Sequence, residues 1–243
     1  MKNYVDIIIP AYNPGTFLDE AIQSALDQTH KNINIIVIDD NSTEDVESIV
    51  KKYKNIKYIR NEKNLGPAAS RNIGIKSSDA PFVSLLDADD IWYAHKLELS
   101  LNSFDKNSEA GMTCGNYQVL LNRRGLSKPF YSRPVEITWE KMMRQNFVAS
   151  GSTTIRREVL ESVALFDEDL WISEDYDCWI KISEENKIEY IHTPLYKYSV
   201  IPRGDSLTNS SNILKDQDSN IAKIRDKSKE RMRNKLLLKK LMV

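Results

Sequence analysis

The sequence is poor in the residues that define several special classes of protein. Its 243 residues include only two cysteines, Cys114 and Cys178, which excludes a disulfide framework or a cysteine-rich zinc site. Eight glycines and eight prolines are too few for a collagen-like or linker sequence. No apolar run reaches the roughly 18 residues that a membrane-spanning helix needs. We therefore expect a soluble or peripheral globular protein whose two thiols are reduced and buried.

The composition is that of a chain with a sizeable core. Hydrophobic residues make up 41% of it and charged residues 28%, which suits one domain with a small appendage. At the start, Asp6 lies where a secretory signal would have its apolar stretch, and Pro10 ends the short run Ile7–Ile9. We interpret the protein as cytoplasmic.

The net charge of −1 is unevenly distributed. Residues 221–243 carry nine basic and two acidic side chains, a net +7, which leaves −8 for the rest of the chain. The acidic body argues against a general nucleic-acid partner. The basic segment ends in Leu236–Val243, and it has two interpretations: an amphipathic helix peripheral on the inner face of the plasma membrane, or a solvated, frayed terminal helix.

Apolar, β-branched segments alternate with segments of helical periodicity over about the first 105 residues. The predicted strands of this region are Val5–Ile9, Ile33–Ile38, Ile56–Ile59 and Phe82–Leu86. Helix-like patterns follow the first three, which predicts a parallel sheet covered by helices. In such sheets ligands bind beyond the carboxyl ends of the strands, where this sequence has clusters of polar residues.

The second half has shorter elements and predicts an α+β arrangement. Tyr176–Ile182 reads as a helix and Ile188–Ile191 as a strand before Pro194, whereas residues 202–220 read as a loop and connector. We predict one domain over residues 1–220, with halves of about 1–105 and 106–220, followed by the basic amphipathic tail 221–243.

Two acidic clusters directly follow predicted strands. Asp39-Asp40 could accept hydrogen bonds from a ribose or a base, or could cap the next helix; the local pattern alone favours capping. Asp87-Ala88-Asp89-Asp90 supplies hard oxygen ligands suited to Mg²⁺ or Mn²⁺, which bind few protein carboxylates together with substrate phosphates. A capping turn is the alternative for this second cluster, and we favour the metal site.

A third acidic cluster, Glu174–Asp177, lies at the predicted first turn of a helix. The helix dipole favours acids there, and a carboxylate at such a position can also serve as a general base. Local sequence does not separate these interpretations. The order of the clusters favours the base, because a nucleotide-binding half, a metal loop and a later carboxylate suit transfer from a nucleotide-linked donor. Trp171 lies just before this cluster and is our candidate acceptor contact.

Five segments in chain order resemble the motifs of the family 2 glycosyltransferases, which have the GT-A fold. They are Ile8–Asn13, Val37–Ser42, Asn64–Asn72, Leu85–Asp90 and Ser173–Trp179. The first three are similar to nucleotide-binding segments, the fourth to the DXD metal motif and the fifth to the ED motif that holds the catalytic base. The resemblance implies a Rossmann-like nucleotide-binding half with a mostly parallel central sheet, fused to an α+β acceptor-binding half and followed by a helical tail.

The resemblance also implies an activity: transfer of a sugar from a nucleotide diphosphate, most often UDP, to a hydroxyl of a glycan or lipid-linked glycan, with inversion at the anomeric carbon. It implies hexosyltransferase chemistry that depends on Mn²⁺ or Mg²⁺, in bacterial surface polysaccharide assembly. The implied roles are as follows: Asp175 as base, Pro10, Ala11, Tyr12, Asp39 and Arg71 in the donor site, Asp87 at the ribose or donor sugar, Asp89 at the metal, and Trp171 with Glu174 at the acceptor.

One departure from the family pattern concerns charge near the diphosphate. Many members have a histidine shortly after a Tyr-x-Tyr-x-Val segment, whereas this chain continues from Tyr196–Val200 to Arg203. We take Arg203 as the residue that fills that role. Two other functions remain open from the sequence: a nucleotidyltransferase, and a non-catalytic subunit that binds sugar nucleotides.

Overall fold

The structure is a computed structural model that describes residues 3–121, 125–127, 136–200 and 211–241, with the side chains of residues 217–238 in the last segment. Its described strands are β1 Val5–Ala11, β2 Ile33–Asp39, β3 Ile56–Arg60, β4 Phe82–Leu85, β5 Ile91–Trp92, β6 Ala110–Leu121, β7 Gly125–Leu126, β8 Thr154–Arg156 and β9 Lys187–Val200. The helices are α1 Phe17–Leu26, α2 Val46–Val50, α3 Gly66–Lys76, α4 Lys96–Lys106, α5 Trp139–Met142, α6 Arg157–Ser162, α7 Glu174–Ser183 and α8 Ser211–Leu241.

The strands of the described residues form one sheet in the order β3-β2-β1-β4-β8-β6-β9-β5, with β7 paired to β6. The first four are mutually parallel, and both predicted halves of the chain contribute strands. The strands β8 and β5 are antiparallel to their neighbours, whereas β9 runs parallel to β6. The predicted combination of a parallel first half with a mixed second half is confirmed.

Helices cover both faces of the sheet because successive side chains of the central strands point to opposite sides. Ile8 on β1 packs with Ile75 of α3 and Trp179 of α7 on one face. Ile7 and Ile9 pack on the other face with apolar residues of α1, α2 and α4. Cys114 and Cys178 are buried free thiols in the first of these cores, as expected.

Two strands of the second half are longer than the sequence predicted. The strand β6 has 12 residues, whereas we expected shorter elements in this half, and it begins at Ala110 in a segment with two glycines and weak β propensity. The strand β9 continues through Pro194, where its register against β6 shifts near Asn116. Proline fits at such an irregularity because the missing N–H costs no ladder hydrogen bond there.

The C-terminal helix begins earlier than the predicted tail. It starts at Ser211 rather than at residue 221, so residues 211–220, which we expected to be a connector, are helical. Residues 201–210 lie outside the described residues. Ile224 and Ser228 of this helix are buried, so it packs on the body of the protein instead of being solvated all round. Over the described part of the chain, no helix is both long enough and apolar enough to cross a bilayer.

Candidate active site

The carboxyl ends of β1 and β2 carry the residues predicted to meet the nucleotide. Ala11 and Asp39 are register partners there, preceded by Pro10 and followed by the exposed Tyr12. Asp39 is fully buried, and its carboxylate accepts hydrogen bonds from the Ser42 N–H at 2.8 Å, the Tyr58 hydroxyl at 2.7 Å and Arg60 Nη1 at 2.5 Å. A nucleotide at Asp39 must therefore join or displace these internal donors.

Asp40, the second acid of this cluster, has a structural role. Its carboxylate accepts from Asn61 Nδ2, the Leu65 N–H and the Gly66 N–H, each at 2.8 Å. These bonds satisfy N–H groups at the start of α3, which would otherwise have no partner within the helix. The sequence suggested a cap for the next helix along the chain, but that helix, α2, is capped by Asp45, and Asp40 caps the later helix α3.

The three carboxylates of the acidic loop after β4 differ in burial, one being buried and two being partly exposed. Asp90 is buried and accepts the Ser199 N–H at 2.8 Å, which ties the loop to β9. Asp87 has a side chain 34% exposed, and Asp89 is half-buried. Among the described residues no three or more His, Cys, Asp or Glu side chains form a metal-binding group. One or two carboxylates that are open to a diphosphate fit Mg²⁺ or Mn²⁺, since these ions share few protein ligands with substrate phosphates.

Arg71 of α3 joins this loop to α7. Its side chain is only 7% exposed; Nη2 donates to Asp87 Oδ1 at 3.1 Å and Nη1 donates to Glu174 Oε1 at 2.6 Å. The guanidinium thus lies between one acid from the first half of the chain and one from the second. Removing it would leave two carboxylates without their shared cation, and uncompensated buried charge is costly.

Glu174 has a perturbed acidity. Burial raises its pKa to about 7, the charge of Arg71 opposes this shift and the neighbouring Asp175 adds to it. A carboxyl so placed is partly protonated near neutral pH. Its contact with Arg71 makes Glu174 a partner of that side chain, at a position that also lines the cleft described below.

Asp175, the predicted base, lies in the first turn of α7 beside a short 3-10 turn, Ser150–Ser152. Its Oδ2 accepts from the Ser150 hydroxyl at 2.8 Å and its Oδ1 accepts from the Tyr176 N–H at 2.6 Å. Each oxygen therefore keeps a lone pair for another donor. Asp177 is different: it is buried and paired with Lys181 one turn along the helix, Nζ to Oδ2 at 2.5 Å.

A cleft of about 600 Å³ brings most of the second-half candidates together. Of the predicted site residues, Arg71, Asp87, Trp171, Glu174 and Asp175 line it. The described residues Pro10, Ala11, Tyr12, Asp39 and Asp89 are not among its lining residues, and Arg203 lies outside the described part of the chain. The cleft therefore joins Asp175 to the acidic loop, while the nucleotide candidates lie at the neighbouring strand ends.

Trp171 is 49% exposed, unlike Trp179, which is fully buried in the core. The Trp171 ring packs on Gly66 at the start of α3, where a Cβ would lie 2.9 Å from Trp171 Cζ3. Gly66 also has a φ of +86°, so glycine is required there on two grounds. An exposed indole at the cleft is consistent with the predicted acceptor contact.

Sequence reasoning missed several residues that line the cleft, namely Tyr117, Tyr198, Asn146, Gln217 and Ile221. Tyr198 lies close to the acidic loop: burial, then the charges of Asp90, Asp87 and Asp89, raise its pKa to about 12. The alternation of side chains along this strand can be read from the sequence, but the sequence does not show which face of β9 meets the cleft. Gln217 lies in the segment that we expected to be a connector.

Comparison with known proteins identifies the family. The profile of "Glycosyl transferase family 2" matches residues 6–164, more than half of the chain. The UDP-Glc:alpha-D-GlcNAc-diphosphoundecaprenol beta-1,3-glucosyltransferase WfgD of Escherichia coli is 32% identical over 195 residues, 79% of this chain and 75% of that protein. An uncharacterized glycosyltransferase of Rickettsia felis is 35% identical over 199 residues, 81% of this chain. The chain spans about a third of the length of that relative and of those from Rickettsia bellii and Rickettsia conorii.

Two solved structures show the same fold. TarS of S. aureus in complex with UDP-GlcNAc superposes with a TM-score of 0.73 at 23% identity, over 86% of this chain and 61% of TarS. The mannosyltransferase PcManGT of Pyrobaculum calidifontis, in complex with GDP-Man and Mn²⁺, has a TM-score of 0.68 at 18% identity, over 82% and 58%. The GT-A fold is therefore confirmed, with a helical C-terminal segment. The family profile and the relatives together show that this chain belongs to glycosyl transferase family 2.

Proposed function

We propose that this protein is an inverting hexosyltransferase that moves a sugar from a nucleotide diphosphate, a UDP-sugar, to a hydroxyl of a glycan or lipid-linked glycan acceptor. The observation that carries the proposal is the cleft in which Asp175 lies together with Arg71 and Asp87. A base, a cation and a loop carboxylate in one cavity are the groups that this displacement requires.

In the proposed reaction Asp175 accepts the proton of the acceptor hydroxyl. The acceptor oxygen attacks the anomeric carbon from the face opposite the leaving group, and the bond from that carbon to the diphosphate oxygen breaks with its electron pair. Ser150 holds one oxygen of Asp175, so the carboxylate is oriented before the acceptor binds. Arg71 supplies positive charge beside Asp87, where we place the donor sugar or ribose.

The donor site extends from the cleft to the ends of β1 and β2. We propose that Pro10, Ala11 and Tyr12 line the base pocket and that Asp39 meets the uridine. Asp89 would hold Mn²⁺ or Mg²⁺, and the ion would neutralise charge on the departing diphosphate. Arg203 is proposed to add a positive charge there.

Two relatives support the substrate classes. WfgD, which the chain covers to 75%, is named for a UDP-glucose donor and a diphosphoundecaprenol-linked acceptor, and TarS is solved with UDP-GlcNAc. We therefore propose a UDP-sugar donor, a lipid-linked glycan acceptor and a place in bacterial surface polysaccharide assembly. We also propose contact of residues 221–243 with the inner face of the plasma membrane.

The decisive experiment compares Asp175→Asn with Asp177→Asn. Both substitutions keep the shape of the side chain, but only Asp175 is proposed to take the acceptor proton; Asp177 is paired with Lys181. We expect Asp175→Asn to lower the transfer rate by roughly 10²–10⁴-fold with normal UDP affinity and melting temperature. Near-normal turnover of Asp175→Asn beside an inactive Asp177→Asn or Glu174→Gln would place the base at a neighbour.

The same assay separates the other two functions. The protein is incubated with Mn²⁺ and a panel of UDP-, GDP- and dTDP-sugars, with and without an acceptor, and free nucleoside diphosphate is measured. A nucleotidyltransferase would release none, and would form pyrophosphate in a parallel incubation with a nucleoside triphosphate and a sugar phosphate. A non-catalytic subunit would bind a sugar nucleotide and turn over none.

A further inference from the structure

The helix α8 presents one face to the body of the protein. The half-buried and buried residues of its described side chains recur every three or four positions, the spacing of one helix face: Gln217, Asn220, Ile221, Ile224, Arg225, Ser228, Arg231, Met232 and Lys235. Asp218, Ala222 and Lys223 lie on the exposed side. The position of α8 is therefore set by packing, with Ile224 in the same core as Trp179.

Polar contacts attach this face to the elements around the base. Asn220 Nδ2 donates to the carbonyl of Ile172 at 3.2 Å, in the loop between Trp171 and Ser173. Arg225 donates to the Tyr176 hydroxyl on α7 and, through Nη2, to the Arg144 carbonyl at 2.7 Å. The helix thus contacts the loop that leads into Asp175 and the helix that carries it.

A group of ion pairs further along α8 also attaches this helix to α7. Glu184, just after α7, has a side chain only 2% exposed and pairs with Arg231 at 2.6 Å and with Lys235 at 3.4 Å. Its Oε1 also accepts from the Ser228 hydroxyl, which in turn accepts from Trp139 Nε1 at 2.9 Å. Three basic residues, Arg225, Arg231 and Lys235, are therefore engaged within the protein.

At its N-terminal end α8 reaches the cleft itself, where Gln217 and Ile221 are lining residues beside Trp171 and Ile172. We propose that this end of α8 is a wall of the acceptor subsite and that Gln217 and Ile221 contact the acceptor sugar. The inference rests on the proposed function. Nothing in the sequence pattern indicated it, because residues 202–220 read as a connector.

The chemistry of this wall suits a neutral pyranose. An indole face and two isoleucine side chains match the C–H face of a sugar ring, and the Gln217 amide can both donate to and accept from a hydroxyl group. Neither α8 residue at the cleft is charged, whereas Arg71 and Asp87 are assigned to the donor, Asp175 to the base and Glu174 to the acceptor beside Trp171. The wall therefore selects the acceptor and leaves donor binding to the rest of the site.

The test uses the full chain and two acceptors, p-nitrophenyl N-acetylglucosaminide and an alkyl-diphosphate-linked N-acetylglucosamine. For Ile221→Ala and Gln217→Ala we expect KM for the acceptor to rise about ten-fold or more, with the UDP affinity measured by calorimetry unchanged. Asp218→Ala, on the exposed side of the same helix and outside the proposed membrane contact, is the matched control and should keep the wild-type KM. Using two contact residues guards against one variant that fails to fold.

The outcomes distinguish failure of the proposed α8 contact from failure of the proposed glycosyltransferase function. Transfer by the wild type with an unchanged acceptor KM in both α8 variants overturns the wall and leaves the glycosyltransferase in place. A rise in KM that Asp218→Ala reproduces also overturns it, since the effect then belongs to the helix in general. No transfer by the wild type to any acceptor, from any donor of the panel, removes the proposed function and the wall with it.

Discussion

At the residue scale, the buried bridge through Arg71 explains why Glu174 and Asp87 occur where they do. Glu174 loses hydration on burial, and the Arg71 guanidinium opposes this cost without cancelling it while it also pairs with the part-exposed Asp87. The bridge also fixes the start of α7 relative to the loop after β4. Asp175, which is the proposed base, and the proposed metal loop are therefore held in one geometry by a buried side chain that pairs with an acid on either side.

The raised pKa of Glu174 predicts how stability depends on pH. The unfolded chain loses this proton near 4.5 and the folded protein near 7, so the folded state binds the extra proton between these values. The free energy of unfolding should therefore fall as pH rises through this window, by roughly 3 kcal/mol from this group. Denaturant unfolding at several pH values, compared between the wild type and Glu174→Gln, measures it.

The quantity to compare is the difference between the two pH profiles, since the contributions of all other titratable groups are common to both proteins. Arg71 and Asp175 are the charged groups that act on Glu174, and both remain in the variant. Parallel profiles for the wild type and Glu174→Gln would contradict the raised pKa of Glu174.

A second prediction at this scale concerns Asp89. If it holds the divalent cation, Asp89→Ala should weaken Mn²⁺-dependent UDP binding by at least the 10–100-fold that loss of an outer-shell partner typically costs. Calorimetry with Mn²⁺ and with EDTA measures this, and the exposed Asp79, changed to alanine, is the control. Equal UDP affinity in EDTA together with full activity of Asp89→Ala would remove the metal from the proposal.

At the scale of elements, the 3-10 turn Ser150–Ser152 contacts the first turn of α7 through the hydrogen bond from Ser150 to Asp175. The turn is anchored from below by Trp92 Nε1, which donates to the Gly151 carbonyl at 2.8 Å, and by Lys96 Nζ, which donates to the Thr153 carbonyl at 2.7 Å. Lys96 is fully buried, and burial lowers its pKa well below the usual value. A rigid support of this kind keeps the Ser150 hydroxyl on Asp175.

We therefore predict that Ser150→Ala lowers kcat about ten-fold or more, because a hydrogen bond to a charged group contributes roughly 1.5–3 kcal/mol. KM for the donor should stay unchanged, and Ser150→Thr, which restores the hydroxyl, should recover most of the rate. Ser183→Ala is the control, since the Ser183 hydroxyl donates to the carbonyl of Ile180 within α7. A fall in kcat that threonine does not rescue would show that the turn needs serine for another reason.

At the scale of the whole molecule, α8 connects the cleft to an apolar surface. Its residues Leu236, Leu237 and Leu238 are 58–60% exposed, about 22 Å along the helix from Ile221 at 1.5 Å per residue. Arg225, Arg231 and Lys235 face the body, so fewer cations of the tail are available to a surface than the sequence suggested. The exposed Lys223, Lys227 and Arg233 remain available.

The corresponding prediction is that the protein binds anionic phospholipid vesicles at low salt. Each basic group near such a surface contributes on the order of 1 kcal/mol, and salt screens this attraction. Changing Leu236, Leu237 and Leu238 together to serine should weaken co-sedimentation, whereas Leu121→Ser, at an exposed leucine elsewhere, should not. Deletion from residue 221 is a poorer test, because it removes the buried Ile224 and Ser228. Wild-type protein that ignores the vesicles at low salt would contradict the membrane contact.

The local pattern of the chain was sufficient for the first half of the fold. Strands β1 to β4 are short apolar runs between helices of clear periodicity, and a buried parallel sheet demands that pattern whatever its neighbours are. The acids at the ends of β2 and β4 could be located for the same reason, because strand ends are visible in a sequence. The prediction of Asp175 as the base came from the order of the motifs and the family resemblance, and it remains a prediction.

Tertiary structure decided what the individual acids contact and what closes the cleft. Asp39, Asp40 and Asp90 differ in their partners, and those partners come from residues such as Tyr58, Leu65 and Ser199 that are distant in the chain. The continuation of β9 through Pro194 and the start of α8 at Ser211 likewise depend on neighbouring elements, since the local propensities there are weak. Sequence periodicity reports which face of an element is buried, but only packing determines which other element covers that face.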